Sequence, residues 1–129
     1  MNAQELNKDY KAHAEGWLVD INEAYAQSEK TGKPILANFT GSDWCGWCHK
    51  LKREIFDKGE FKTWAAANVV LLEVDFPRSF KLPADIQQQN RNLQQAFQVT
   101  GYPTIWVFSL KKNEEQQFMI EGIGKTGYM

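Results

Sequence analysis

Cysteine is scarce here: Cys45 and Cys48 are the two among 129 residues. With His49 beside them and His13 far upstream, they do not supply the roughly four ligands of a structural zinc site within one chain, so no metal is expected. No run of about 18 apolar residues occurs, which excludes a membrane-spanning helix. Charge of one sign is also lacking. Fifteen basic and 16 acidic residues leave a net charge of −1, spread without a basic stripe, which excludes nucleic acid as a partner. There is no repeat and no low-complexity linker. The polar stretch Met1–Tyr10 has no signal-peptide pattern. The compartment reads as cytoplasmic if the chain is complete, and as periplasmic or secreted if a leader was removed. Two cysteines do not decide it, because a redox-active pair works on either side.

What is present is enough for a core. Apolar residues make up 43%, including eight Phe, five Trp and four Tyr, and the length fits a single domain that needs no disulfide staples. Residues 1–15 are polar with no clear period and read as an N-terminal arm or helical turn; 16–129 read as the domain. Trp17-Leu18-Val19 reads as a short edge strand. Asp20 with Glu23 forms a helix-start signature, Ile21, Ala24, Tyr25 and Ser28 share a helix face, and Gly32 with Pro34 ends that helix. Pro34–Thr40 is short and nearly all apolar, the mark of a buried parallel strand. A helix from Cys45 to about Asp57 follows, with Leu51, Ile55 and Phe56 at helical spacing. A second runs over Glu60–Ala67, and a buried strand over Val69–Asp75.

Phe76–Pro83 is a loop. Ala84–Phe97 is a Gln/Asn-rich helix whose Gln run reads as a solvated face. Gly101-Tyr102-Pro103 breaks the chain. Strands at Thr104–Ser109 and Gln116–Glu121 pair as a hairpin about the charged turn Lys111–Glu114. Strands alternating with helices imply an α/β fold, a sheet with helices on both faces.

The chemistry concentrates in Cys45-Gly46-Trp47-Cys48. Two thiols three residues apart can close a small disulfide ring, release it or share a metal. The first cysteine stands where a helix begins, and the unpaired N–H groups there favour a thiolate, the nucleophile of disulfide exchange. Cys45 is therefore the expected nucleophile and the more exposed thiol, and Cys48 the resolving one. Cys-Gly-Trp-Cys-His49 also spells a c-type haem attachment motif. The buried strands around it argue against a small helical wrapper for haem, and no cofactor is expected. Trp44 and Trp47 flank the cysteines and are expected to be exposed, whereas Trp17, Trp64 and Trp106 are assigned to core packing. His49 is read as a neighbour without a role, and Asp43 as a loop or cap residue.

Trp44-Cys45-Gly46-Trp47-Cys48 after a buried strand, and Gly101-Tyr102-Pro103-Thr104 before the penultimate strand, resemble the thioredoxin family over roughly Trp17 to Gly124. The resemblance implies a thioredoxin-like fold with a central mixed β-sheet flanked by helices. It implies a thiol–disulfide oxidoreductase that reduces protein disulfides, with extracytoplasmic oxidation or isomerisation, or a non-catalytic binding module, as the alternatives. Its implied partners are protein disulfide substrates and a thiol reductant or reductase, and the chain is expected to be a monomer. It also implies that Pro103 is cis and aims the backbone of Tyr102 at an extended substrate, with Trp44, Trp47, Tyr102 and Pro103 forming the substrate-binding surface. The sequence departs from the family in four places. Gly-Trp separates the cysteines in place of Gly-Pro. Asn38 stands near a position where many thioredoxins carry a buried acid. The Phe76–Pro83 loop is longer than in the smallest members. The family's C-terminal helix is short or absent.

Overall fold

A computed structural model describes residues 10–115 and 117–127. Of the expected N-terminal arm, residues 1–9 lie outside the described residues, and Tyr10–Gly16 runs as bends and a turn without helix. The elements in chain order are α1 (Ile21–Thr31), β1 (Ile35–Thr40), α2 (Gly46–Leu51), a π-helical segment (Lys52–Phe56), α3 (Gly59–Asn68), β2 (Val70–Asp75), α4 (Ala84–Ala96), β3 (Thr104–Lys112) and β4 (Phe118–Gly127). The four strands form one mixed sheet in the order β2-β1-β3-β4. β1 runs parallel to β2 and antiparallel to β3, and β3 pairs antiparallel with β4. The expected edge strand at Trp17–Val19 shrinks to one parallel bridge, Leu18 to Leu72.

Alternation along the central strands sorts side chains onto two faces. Ile35, Ala37 and Phe39 of β1 join Val70, Leu72, Val74 and Phe108 in the larger core, which is closed by Ile21 and Ala24 of α1 and by Leu93 and Phe97. Leu36 lies on the opposite face, where Ala65 of α3, Phe61, Leu71, Ile105 and Val107 cover it. That second face also carries the polar residues Asn38, Thr40, Glu73 and Asp75, because Asn38 pairs with Glu73 and Thr40 with Asp75 across the parallel ladder. The cysteines begin α2 directly above the C-terminal end of β1, the usual ligand and chemistry end of a parallel pair.

Four sequence expectations change. The helix expected over Cys45–Asp57 is not uniform. The Asp57 N–H reaches back five residues to the Lys52 carbonyl, which defines a π turn. An α-helix that buries Cys48 and Leu51 would next bury Ile55. The extra residue in the turn instead leaves Ile55 exposed and carries Phe56 inward, where it packs against Trp17 and Phe61. Second, the Gln run is not wholly solvated. Gln87 and Gln88 are exposed, but Gln89 and Asn90 are buried. Gln89 accepts from the Ile21 N–H and donates to the Val19 carbonyl, and Asn90 donates to the Asp75 carbonyl. Buried backbone groups need partners, and here two side chains of α4 supply them to the start of α1 and the end of β2. Third, the hairpin strands are longer than expected, and β3 and β4 slip register between Val107 and Phe108. Trp64, assigned to the core from sequence, is 47% exposed.

Candidate redox site at the start of the second helix

Local chemistry places the cysteines. Asp75, at the end of β2, accepts from both the backbone N–H and the hydroxyl of Ser42, so the loop leaving β1 is tied to the neighbouring strand. Gly41 is needed in that loop. A Cβ there would lie 2.3 Å from the Trp44 ring, far inside van der Waals contact. The ring is thus laid over the backbone of Gly41, with its Nε1–H donating to the Phe76 carbonyl at 2.7 Å and the Arg78 guanidinium stacked 3.7 Å from its centroid. Asp43 fastens the same loop from outside. Its carboxylate accepts from the Ser79 hydroxyl and from the N–H groups of Ser79 and Arg78. These bonds, the Ser79 hydroxyl first, hold its pKa down at about 2.

Cys45 is the N-cap of α2, and its Sγ accepts from the Cys48 N–H at 3.2 Å. It is bonded to Cys48 as a disulfide, with the two Cα atoms 5.2 Å apart. Both cysteines are 5% exposed, so the expectation that Cys45 is the more accessible of the pair does not hold in this oxidised form. The ring is closed on itself. His49 is half-buried, and its Nε2 lies 2.6 Å from the Ser42 carbonyl. A carbonyl only accepts, so Nε2 carries the proton. The histidine expected to be idle thus braces the loop before Cys45.

Two of the aromatic residues named from sequence, Trp44 and Tyr102, come together. Trp44 is half-buried and meets Tyr102 edge to face at 5.7 Å. Tyr102 also stacks at 5.3 Å on Phe76, and its hydroxyl accepts from the Gln94 side chain. The Tyr102–Pro103 peptide is cis and Pro103 is buried. Trp47 is 50% exposed, with Lys50 over its ring. Trp44, Tyr102 and Phe76 therefore form one aromatic wall, while Trp47 stands apart from it in solvent.

One part of the site has no motif. A cavity of about 220 Å³ lies behind Cys48, lined among others by His13, Asn38, Phe56 and Glu73. Glu73 is buried, and its Oε2 lies 3.2 Å from His13 Nδ1. Desolvation pushes the Glu73 carboxyl above its ordinary pKa, and His13 pulls part of that shift back. Sequence reading missed this pairing because 60 residues separate its members. The only signal was a charged residue, Glu73, inside an otherwise apolar strand.

A mixed sheet with a disulfide at a strand–helix junction, faced by a Tyr-Pro turn, defines a thioredoxin-like protein. A family model described as a thioredoxin-like domain matches residues 21–125, and the chain belongs to that family. It is 35% identical over 107 residues to the disulfide bond reductase DsbH of Chlamydia pneumoniae, covering 83% of this chain and 64% of the relative. It is 31% identical over 98 residues to the thioredoxin-related protein DsbJ of the same organism, covering 76% of this chain and 28% of the relative. The solved structure of a DsbH oxidoreductase superposes with a TM-score of 0.73 at 30% identity, covering 100% of this chain and 83% of the other. The chain thus spans less than two thirds of the length of these two curated relatives. Among the described residues, no helix is long and apolar enough to cross a membrane.

Proposed function

We propose that this protein is a thiol–disulfide oxidoreductase that reduces protein disulfides by cycling Cys45 and Cys48 between dithiol and disulfide. The observation that carries this reading is the Cys45–Cys48 disulfide closed at the first turn of α2, with the Cys48 N–H directed at Cys45 Sγ. In the reduced form the same donor, with the partial positive charge of the helix start, favours a Cys45 thiolate. That thiolate attacks a substrate disulfide and forms a mixed disulfide. Cys48 then attacks Cys45 Sγ, and the reduced substrate leaves. Kinship with a disulfide bond reductase supports the reducing direction.

Trp44 and Tyr102, held together by edge-to-face packing, offer an apolar wall to an extended chain beside Pro103. Exposed Trp47, between the two cysteines, offers a separate apolar surface. An extended substrate would pair with the backbone at Tyr102 as an added strand. The site residues are therefore Cys45 and Cys48 for chemistry, and Trp44, Trp47, Tyr102 and Pro103 for binding. The protein acts as a monomer, takes its electrons from a thiol reductant or a reductase, and uses no bound cofactor.

The test is a redox titration of the cysteine pair against dithiothreitol and glutathione buffers, read by thiol alkylation and mass. A reversible two-electron transition is expected. A midpoint near the thioredoxin end of the family range, roughly −270 mV, supports reduction; one near −120 mV supports oxidation. A pair that never opens reversibly refutes the enzyme reading. In the same preparation, Cys48→Ser should accumulate mixed disulfides through Cys45, and recovery of none from a disulfide-rich protein mixture counts against the two-step scheme.

A further inference from the structure

Positive charge gathers in the segments around the redox site, although the chain as a whole carries a net charge of −1. Three segments meet there: residues 41–53 with the cysteines, the loop 76–83 and the turn 99–104. Between them they carry Lys50, Lys52, Arg53, Arg78 and Lys81 against a single acid, Asp43. Two of these cations sit on the aromatics beside the cysteines. The Arg78 guanidinium lies 3.7 Å from the centroid of the Trp44 ring, and Lys50 Nζ lies 5.1 Å from that of Trp47. Trp44 directly precedes Cys45, and Trp47 stands between the cysteines. Each tryptophan that borders the reactive pair thus holds a cation.

Among the described residues, neither Arg78 nor Lys50 enters an ion pair, whereas Lys52 is tied to Asp57. Asp43 turns its carboxylate to the Ser79 hydroxyl and to the N–H groups of Arg78 and Ser79, and one carboxylate leaves the two cations in excess. Arg78 is exposed and Lys50 half-buried. A guanidinium stacked on an indole keeps its N–H edge open, and that edge is the part that grips a carboxylate in a fork. The indole beneath it is fixed, because Trp44 Nε1 donates to the Phe76 carbonyl. The group that would meet an anion is therefore held in place before a substrate arrives, which lowers the ordering cost of binding.

We propose that Arg78 and Lys50 make this site select extended chains that carry carboxylates beside the disulfide, so that its substrate class is acidic disulfide peptides. The proposal rests on the oxidoreductase reading above. A chain laid along Trp44 and Tyr102 brings one neighbour of its cysteine to the Arg78 edge, and a neighbour on the Trp47 side meets Lys50. The exchange itself is unchanged. The Cys45 thiolate bonds to one substrate sulfur, and the substrate S–S bond breaks with release of a thiolate. Cys48 then bonds to Cys45 Sγ and releases the second thiolate, so the two cysteines are oxidised and the substrate disulfide is reduced. The cations act on the encounter and on the register of the bound chain. The same two charges repel a basic chain, so the discrimination works in both directions.

The experiment measures reduction of two disulfide-linked peptide homodimers by the reduced protein. One peptide has glutamate and the other lysine on both sides of its cysteine, and the two are otherwise identical. Each rate is divided by that of dithiothreitol, which reports the intrinsic reactivity of the disulfide without the charges of the site. At an ionic strength of about 20 mM the wild-type protein should favour the acidic peptide by about tenfold or more. In about 1 M salt, where the screening length is about 3 Å, the preference should fall to about twofold or less. Arg78→Gln keeps the backbone N–H that binds Asp43 and removes one charge. It should slow the acidic peptide about threefold and speed the basic one by as much, the effect of one unit charge about 5 Å away in water. Lys50→Gln should act in the same way, and Arg78→Lys should keep the wild-type preference. Rates that fall together for both peptides show a structural role and overturn the proposal. So does a smaller low-salt preference in the wild type, or an Arg78→Lys variant that behaves as Arg78→Gln. Wild-type protein that reduces neither peptide, while dithiothreitol reduces both, overturns the oxidoreductase reading itself, so the two failures are distinct.

Discussion

Replacing Gly41 by alanine tests whether the loop before Cys45 is built around Trp44. The added Cβ would lie 2.3, 2.5 and 2.6 Å from three atoms of the indole, so either the ring or the backbone must move. Overpacking of this kind costs about 1–3 kcal/mol. If the ring moves, the Nε1–H bond to the Phe76 carbonyl is lost, at about 1 kcal/mol, and the Arg78 stacking goes with it. Against this, alanine narrows the unfolded ensemble and returns roughly 0.4–1 kcal/mol. The net expectation is a loss of about 1–3.5 kcal/mol, read from urea denaturation of the oxidised protein. The decisive comparison is a double-mutant cycle. In a Trp44→Ala background the clashing partner is gone, and Gly41→Ala should then cost nothing and stabilise by up to about 1 kcal/mol, the unfolded-state gain alone. The same single variant should also slow the first thiol-exchange step, because Trp44 precedes the nucleophile directly. An equal cost of Gly41→Ala in both backgrounds refutes the reasoning and places the requirement in the backbone instead.

Other expectations follow from the same contacts. Gln89→Leu leaves the Ile21 N–H and the Val19 carbonyl buried without partners; at about 1–3 kcal/mol each, a loss of about 2–6 kcal/mol is expected in urea, whereas Gln87→Leu on the exposed side should stay within about 0.5 kcal/mol. Asp43 is held down at about pKa 2 from 3.8, so its carboxylate contributes stability above pH 3.8 that is lost as the pH falls towards 2. Thermal melts of Asp43→Asn should lack that part of the acid decline, and an unchanged acid limb would show that the Arg78–Ser79 tether does not matter. The folded-state pKa of Glu73 is raised, so its contribution is present in acid and lost as the pH rises through that value. Glu73→Gln should therefore gain stability relative to wild type in alkaline melts, and the opposite sign would contradict desolvation as the dominant cause.

Much of the architecture was legible because it rests on local patterns. The nearly unbroken apolar run of β1, the N-cap at Asp20 and the helix stops at Gly32 and Pro34 each have a nearest-neighbour cause. The same holds for the redox pair, since Cys45 and Cys48 are one helical turn apart and need no tertiary contact to find each other. Where the readings changed, a distant partner had intervened. Ile55 and Phe56 are both plausible inward residues; Trp17 and Phe61 make the pocket that selects Phe56, and a π turn accommodates the choice. Gln89 looks like its exposed neighbours until the Ile21 N–H at the start of α1 is placed beside it.

The sequence by itself determined the α/β alternation, the disulfide-forming pair and its place at a helix start, because spacing along the chain suffices for these. Only the tertiary structure decided how accessible the thiols are, which aromatics form the wall, and that an acid on β2 and a histidine from the N-terminal segment stand at the cavity behind Cys48. Burial and pairing across 60 residues depend on which strands become neighbours, and that order, β2-β1-β3-β4, is a property of the packed sheet rather than of any stretch of chain.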